Sequence, residues 1–157
     1  MKIKLLVVGK TISHYLINGE REYEERLFHY CKFEELVIPL VKNNSKNSNN
    51  RLLFEEGKLI LSRLTQRDEV ILLDEKGKQY SSIDFSNFIS KKVMNRTKNL
   101  IFIIGGSFGF SEEVYLRANS KISISKMTFS HQMVRLIFKE QLYRAFTILK
   151  GEKYHHE

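Results

Sequence analysis

Short apolar runs and longer segments with helical spacing alternate along the chain. Runs of about four to eight residues that are apolar throughout, or at every second position, are typical of strands. They predict strands at residues 3–8, 33–40, 69–73, 99–104 and 121–125. Apolar residues three and four positions apart predict helices at 20–31, 51–65, 82–94, from 111 onward, and 129–150. This alternation predicts an α/β fold with a mainly parallel sheet flanked by helices.

Residues with capping or backbone roles mark the ends of several elements. Ser81 or Ser82 is a candidate N-cap for the third helix, because a serine side chain accepts a hydrogen bond from an exposed helical N–H group. Ser111, followed by two glutamates, predicts another helix start, and Gly151 predicts the end of the last helix. Pro39 places the second strand at an edge of the sheet or marks the end of that strand.

Residues 42–50, KNNSKNSNN, form the only low-complexity segment. Asn and Ser side chains favour turns and compete with regular backbone pairing. Two interpretations remain open, a flexible surface loop or a loop that orders on RNA or on a partner. The chain shows no repeat and no other candidate linker, so residues 1–157 are expected to form a single domain.

The composition is that of a folded intracellular protein. Of the 157 residues, 42% are hydrophobic and 28% charged, which excludes collagen-like and charge-dominated disordered classes. Cys31 is the only cysteine, so no intramolecular disulfide can form, and a reducing cytoplasmic location is expected. No apolar run approaches the ~20 residues that span a bilayer, so no membrane partner is expected. The N-terminal residues predict a first strand and not a signal peptide.

The charge balance bears on the partners of the protein and not on its fold. The chain carries 26 basic and 18 acidic residues, for a formal net charge of +8. A basic protein favours polyanionic partners such as nucleic acid. The basic residues do not form a block, however, so a well-solvated surface explains the charge equally well.

Three segments that could form a binding or catalytic site each lie just beyond a predicted strand. They are residues 72–77, the glycine loop 104–109 and residues 124–129. Ligands of open α/β sheets bind at the carboxyl ends of strands, which makes these segments candidates for a binding site. The glycine loop does not match the dinucleotide-binding fingerprint G-x-G-x-x-G. From the residues alone, it is either a ligand loop or a tight turn between strand and helix.

The last predicted helix is apolar around nearly its whole circumference. Such a helix is buried on several sides, and in a small domain this predicts packing against a second subunit. Glu140 and Arg144, one turn apart, are expected to form a helical ion pair. The adjacent His155 and His156 are weak evidence for a metal site, since neighbours in an extended chain point to opposite sides, and no metal is expected.

Four stretches together resemble a known family. They are LLDEKGK at 72–78, IGGSFGFSEEV at 104–114, the run from Ser123 to Phe146, and YHHE at the C-terminus. Their order and spacing resemble the ribosomal RNA large-subunit pseudouridine N3-methyltransferases of the SPOUT superfamily, over nearly the whole chain. The resemblance implies a C-terminal trefoil knot, a homodimer and S-adenosylmethionine as cofactor. The implied substrate is a pseudouridine of 23S ribosomal RNA in the assembled ribosome, and neither DNA nor a membrane is an expected partner.

The resemblance also implies roles for individual residues. The expected cofactor-binding residues are Leu73, Gly105, Ile124, Ser125, Lys126, Met127, Thr128 and Phe129. His131 and Arg135 are expected to face the RNA. His155, Arg144 and Tyr154 are the candidate catalytic residues.

The substrate itself dictates what catalysis requires. N3 of a uracil-type ring must lose its proton before the nitrogen can attack a methyl group, and negative charge then develops on the ring oxygens. His155 is the candidate base, and Arg144 or Arg135 could supply the positive charge. Alignment of nitrogen, methyl and sulfur is expected to contribute most of the rate.

Three other functions compete with this one. A SPOUT methyltransferase acting on tRNA would use the same cofactor loops. A ribosome-binding factor without activity would associate with ribosomes and transfer no methyl group. A flavodoxin-like domain with another small ligand is disfavoured by the third loop and the C-terminal helix.

Overall fold

The computed structural model describes residues 1–41 and 49–156. Its strands are β1 Lys2–Val8, β2 Lys32–Ile38, β3 Glu69–Gln79, β4 Asn99–Ile104 and β5 Ser120–Ser123. Its helices are α1 His14–Leu27, α2 Asn49–Leu61, α3 Ser82–Met94, α4 Glu112–Arg117 and α5 His131–Leu149. The predicted loop at 42–50 lies outside the described residues except for its last two positions, which begin α2.

The strands form one parallel sheet in the order β2-β1-β4-β3-β5. This confirms the predicted α/β class with a parallel sheet. The second strand lies at one edge and ends at Ile38, just before Pro39, as the proline predicted. The central strand β4 is apolar at Leu100–Ile104 because helices cover both of its faces.

Each face of the sheet carries its own apolar core. On one face, side chains of alternating strand positions pack against α1, α3 and α5, with the rings of Phe102 and Phe138 4.6 Å apart. On the other face, Ile101 and Ile103 pack against residues of α2 and α4, including Ile60 and Val114. The result is a three-layer arrangement that leaves the carboxyl ends of the strands uncovered at one edge of the layers.

The predicted capping residues take different roles. Ser81 precedes α3, and its side chain accepts a hydrogen bond from the Asp84 N–H group at 3.0 Å. Ser111 stands at the N-cap position of α4, but its side chain makes no capping hydrogen bond. Gly151 follows α5 with a φ of 67°, the left-handed conformation that glycine tolerates best.

β3 is longer than its apolar run predicts. The strand continues past Leu73 to Gln79, and its pairing with β5 shifts register between Leu73 and Lys78. At Gly77 a Cβ atom would lie 2.5 Å from the carbonyl carbon of Ile122, so only glycine fits at this close approach to β5. The extension keeps the residues after Leu73 near the edge where β4 and β5 end.

α5 carries a buried ion cluster on the side that faces α1. The Lys139 ammonium lies 2.5 Å from Glu20, 2.6 Å from Glu24 and 2.6 Å from Glu35. Burial acts to lower the pKa of Lys139, but the three carboxylates outweigh it and raise that pKa. The three carboxylates are close enough together to hold a metal ion, but the lysine ammonium already lies between them.

Candidate active site

Three segments enclose a pocket of about 580 Å³ where the apolar part of β3 ends and at the carboxyl ends of β4 and β5. The first is the part of β3 past Leu73, where its pairing with β5 shifts register. The second is the loop that follows Ile104 and contains the glycines, and the third is the loop that follows Ser123 and leads into α5. These are the three segments that the sequence selected. β3 and β4 are neighbours in the sheet and β5 pairs with β3, which explains why loops distant in sequence share one wall.

The pocket contains nearly all of the expected cofactor residues. Its walls include Leu73, Gly105, Ile124, Ser125, Met127, Thr128 and Phe129. Lys126 is exposed and does not line the pocket, so the structure does not place it with the others. The second wall also includes Gly106, Ser107 and Phe108.

The glycine loop folds back on itself in a way that side chains would prevent. Gly106 and Gly109 form an isolated antiparallel bridge, and the N–H of Gly109 donates to the Gly106 carbonyl at 3.2 Å. A Cβ on Gly105 would lie 2.8 Å from the Gly109 carbonyl oxygen, and Gly109 has a φ of 82°. The loop therefore offers backbone, and little side-chain bulk, to the pocket.

The third loop is held by serine hydroxyls. Ser125 Oγ accepts a hydrogen bond from the Met127 N–H at 2.9 Å, and Ser130 Oγ caps α5 by accepting from the Met133 N–H at 3.2 Å. Met127 and Phe129 nevertheless remain 74% and 41% exposed. Large apolar side chains at the mouth of a pocket mark a surface suited to a further partner.

Sequence reasoning missed the pairing of Asp74 with Tyr115 at the pocket. The Tyr115 hydroxyl donates to Asp74 Oδ2 at 2.5 Å, and both residues line the wall. Burial and this hydrogen bond raise the pKa of Tyr115 to about 12, so the phenol stays protonated. Asp74 could have been found from its position directly after a buried strand. Nothing in the sequence singled out Tyr115 on α4.

His131 lies in the pocket wall at the first position of α5. Burial lowers its pKa, and the nearby Arg135 guanidinium lowers it further. The imidazole is therefore neutral at neutral pH. His131 faces the same cavity as the expected cofactor residues and is not on a separate surface.

The expected role of Arg135 in RNA binding needs correction. The side chain is fully buried, and its guanidinium donates to the carbonyl oxygens of Val8 at 2.8 Å and Gly9 at 2.9 Å. It also donates to Thr11 Oγ1 at 3.1 Å. A buried guanidinium bound to backbone carbonyls cannot reach RNA without leaving them. Its role in this structure is to tie the end of β1 to α5.

The candidate catalytic residues come together at the far end of α5. Arg144 donates from Nη2 to Glu140 Oε1 at 2.5 Å, which confirms the predicted ion pair and raises the pKa of Arg144. Arg144 also lies over the Tyr154 ring, 4.7 Å from its centroid. Its Nη1 is 3.3 Å from His155 Nδ1. Because arginine can only donate, His155 Nδ1 is the acceptor in this contact.

Tyr154 anchors this cluster to α1. Its hydroxyl lies 3.2 Å from the Tyr23 hydroxyl and donates to Glu140 Oε1 at 3.2 Å, while its ring packs 4.7 Å from that of Tyr143. Burial and the bond to Tyr23 raise the pKa of Tyr154, so it remains a neutral donor. The C-terminal residues are thus packed in a defined position up to His155.

The pocket and this C-terminal cluster lie at opposite ends of α5. Arg144 follows His131 by thirteen residues, which corresponds to about 20 Å along a helix. One copy of the chain therefore does not bring the candidate catalytic residues to its own pocket. Any reaction that uses both the pocket and the cluster must therefore bridge this distance.

The parallel sheet, with a pocket at its strand ends, places the protein in the α/β class, and comparison with known proteins identifies the family. Residues 1–155 match the family described as "Predicted SPOUT methyltransferase". The chain belongs to the SPOUT methyltransferase family.

Close relatives cover the chain from end to end. A protein of Christiangramia forsetii named "Ribosomal RNA large subunit methyltransferase H" is 57% identical over 156 residues, which is 99% of each chain. A protein of the same name from Parabacteroides distasonis is 53% identical over 157 residues, covering 100% of both chains.

Solved structures confirm the fold at lower sequence similarity. The tRNA (m1G37) methyltransferase of Aquifex aeolicus superimposes with a TM-score of 0.58 at 16% identity, covering 100% of this chain and 76% of that one. A probable methylase family protein of Haemophilus influenzae gives a TM-score of 0.55 at 10% identity, over 99% of this chain and 70% of that one. The shared fold is consistent with the C-terminal trefoil knot, which stays a prediction.

Proposed function

We propose that this protein transfers a methyl group from S-adenosylmethionine to N3 of a pseudouridine in 23S ribosomal RNA, within the assembled ribosome in the cytoplasm. Membership of the methyltransferase family supports methyl transfer. The names of the full-length relatives support large-subunit ribosomal RNA as the substrate. In the described residues, no helix is long and apolar enough to cross a membrane.

The single observation that carries the proposal is the convergence of three segments, the part of β3 past Leu73 and the loops after β4 and β5, on one pocket. Its volume of about 580 Å³ lies in the range of small-molecule sites. The apolar walls formed by Leu73, Ile104 and Ile124 suit a flat adenine ring, and the glycine loop offers backbone donors and acceptors. When bound, S-adenosylmethionine supplies an activated methyl group on a sulfonium, so this chemistry needs no metal.

The C-terminal cluster offers what the substrate base requires. If Arg144 moves from His155 toward a uracil carbonyl oxygen, it stabilises the charge that develops there and frees Nδ1 of His155. That nitrogen can then accept the N3 proton. The movement of Arg144 to the substrate thus makes His155 available as the base. Tyr154 positions Arg144 through its ring, and its hydroxyl binds Glu140, the ion-pair partner of Arg144.

The distance of about 20 Å between pocket and cluster favours a homodimer with composite sites. In a two-fold symmetric pair, the pocket of one copy can face the C-terminal cluster of the other, and the reverse. Exposed apolar side chains of the pocket wall supply a surface for such contact, namely Phe108, Met127 and Phe129. Each dimer would then contain two sites, both formed by two chains.

The test is methyl transfer from labelled S-adenosylmethionine to ribosomes, separate subunits and tRNA from a strain that lacks this protein. Mass mapping of the labelled nucleotide should identify an N3-methylated pseudouridine in large-subunit RNA. Label in tRNA would overturn the substrate, and no label on any RNA would overturn the activity.

Variants of the tail test the assigned roles. His155→Ala and Arg144→Ala should each lower turnover, while His156→Ala, a change of the exposed neighbouring histidine, serves as the matched control. Near-normal turnover of both variants, with intact folding and cofactor affinity, would show that the roles are wrong.

A further inference from the structure

Glu56 is a buried carboxylate directly behind the wall of the pocket. It stands on α2, and its side chain is only 6% exposed. Its two oxygens lie 2.7 and 3.0 Å from the place that a Cβ on Gly106 would occupy. Gly106 lines the pocket, so only the backbone of one residue separates the carboxylate from the cavity. The absence of a side chain at Gly106 is what allows this approach.

No group within residues 1–41 and 49–156 donates a hydrogen bond to this carboxylate or forms an ion pair with it. Burial alone raises the pKa of Glu56, with no opposing charge. A buried carboxylate without a donor destabilises a folded protein, and a neutral side chain of similar size would be favoured there. In the described part of the chain, no hydrogen bond or ion pair favours a glutamate over a neutral side chain at this position.

The neighbourhood of Glu56 is tightly packed. A Cβ on the adjacent Gly57 would lie 2.4 Å from Ser111 Oγ, at the start of α4. In the part of the chain that the structure describes, Ser111 Oγ also lacks a hydrogen-bond partner. No described cationic side chain pairs with the carboxylate, and its oxygens lie against Gly106 of the glycine loop, which lines the cavity.

This inference rests on the proposed function, because it concerns the charge of the methyl donor. S-adenosylmethionine carries a sulfonium, an ammonium and a carboxylate, for a net charge of +1. After transfer the sulfonium becomes a neutral thioether, and S-adenosylhomocysteine has no net charge. We propose that Glu56 is a specificity-determining residue whose carboxylate makes the pocket favour the charged donor over the uncharged product.

The expected size of the effect follows from a unit charge acting across a partly open pocket. With an effective dielectric constant near 20, loss of the charge should weaken donor binding by on the order of tenfold after solvent screening. Binding of the product, which lacks the sulfonium charge, should change by less than about twofold. The effect is a change in the ratio of two affinities and not a uniform loss.

Isothermal titration of the full-length protein tests this directly. Wild type, Glu56→Gln and the control Glu55→Gln are each titrated with S-adenosylmethionine, S-adenosylhomocysteine and sinefungin, which carries an amino group where the sulfonium stands. Glu56→Gln should weaken the binding of S-adenosylmethionine and sinefungin and leave the affinity for S-adenosylhomocysteine nearly unchanged. Glu55→Gln removes the same charge one position earlier on α2 and should change none of the three.

A second variant and a stability measurement distinguish loss of the charge from loss of the fold. Glu56→Ala removes the same charge with less bulk at Gly106 and should give the same shift in the affinity ratio. Without ligand, Glu56→Gln should unfold at a temperature no lower than that of the wild type, since an unpaired buried charge has been removed. Equal weakening of donor and product, or no weakening, would overturn the inference. If the wild type bound neither compound, the proposed function itself would fail.

Discussion

Combining two inactive variants in one heterodimer should restore activity if each site is formed by two chains. One variant, Thr128→Trp, fills the cofactor pocket from an exposed position in the third loop. The other, Arg144→Ala, removes the guanidinium of the C-terminal cluster, about 20 Å away along α5. Each homodimer should be inactive, because every site lacks either a pocket or a catalytic cation.

The expected recovery follows from counting sites. In a heterodimer, one site combines the altered pocket with the altered cluster, and the other combines the intact pocket with the intact cluster. Purified heterodimers, isolated through two different affinity tags after co-expression, should therefore show about half of the wild-type activity per dimer. The assay is methyl transfer to ribosomes that lack the modification, with the two homodimers as blanks.

The reasoning would be refuted by heterodimers as inactive as the homodimers. That result would mean that pocket and cluster of the same chain must cooperate, so the helix would have to bend or the tail would have to leave Tyr23. A monomeric protein with full activity in the wild type would refute it as well. Cofactor titration of Arg144→Ala should give wild-type affinity, since the proposed role of Arg144 is toward the substrate base and not toward the cofactor.

Four further outcomes test packing and charge. Lys139→Met should lower the free energy of unfolding in urea by about 3–5 kcal/mol, because three carboxylates lose their shared cation. Glu35→Gln should change it by less than about 1 kcal/mol, because burial already raises the pKa of Glu35 against the pull of Lys139 and two carboxylates remain. Burial raises the folded-state pKa of Glu56 above its ordinary 4.5. As the pH rises through that folded value, the free energy of unfolding of the wild type should therefore fall relative to that of Glu56→Gln. Urea titrations at several pH values check this. Binding to ribosomes, measured by co-sedimentation, should weaken as salt rises, and salt-independent binding would contradict a phosphate-based contact.

The elements with the strongest local signals were predicted to the residue. α3 spans Ser82–Met94 as expected, because a capping serine and a helical apolar pattern agree there. β4 spans Asn99–Ile104 as expected, because both of its faces are buried and its residues are apolar throughout. Local sequence and tertiary environment favour the same structure in both elements.

Other boundaries depend on contacts that the sequence does not display. α1 begins at His14, six residues before the predicted helix, and in its first turns only Leu16 is buried, so the apolar spacing there is too sparse to read. The extension of β3 to Gln79 is polar and depends on pairing with β5 across Gly77. In both cases a partner distant in sequence determines the end of the element.

The site was predicted in the same uneven way. Strand-end loops identify the pocket because the carboxyl ends of parallel strands share one edge. The burial of Arg135 could not be predicted, since an arginine on a helix ordinarily lies at the surface and its backbone acceptors come from β1. Glu56 could not be found for a related reason, because its neighbour Gly106 lies about fifty positions further along the chain.

The polar stripe of α5 determines how the two parts of the site are spaced. His131, Arg135, Lys139 and Tyr143 recur every four residues and contact, in turn, the pocket, the end of β1, the ion cluster with α1, and Tyr154. Apolar contacts alone would let a helix slide along its neighbours at little cost in free energy. Hydrogen bonds and ion pairs are directional, and their presence at several positions along α5 prevents such a shift. α5 is therefore a spacer of fixed length and rotation. These bonds therefore hold the pocket and the tail in one relative geometry.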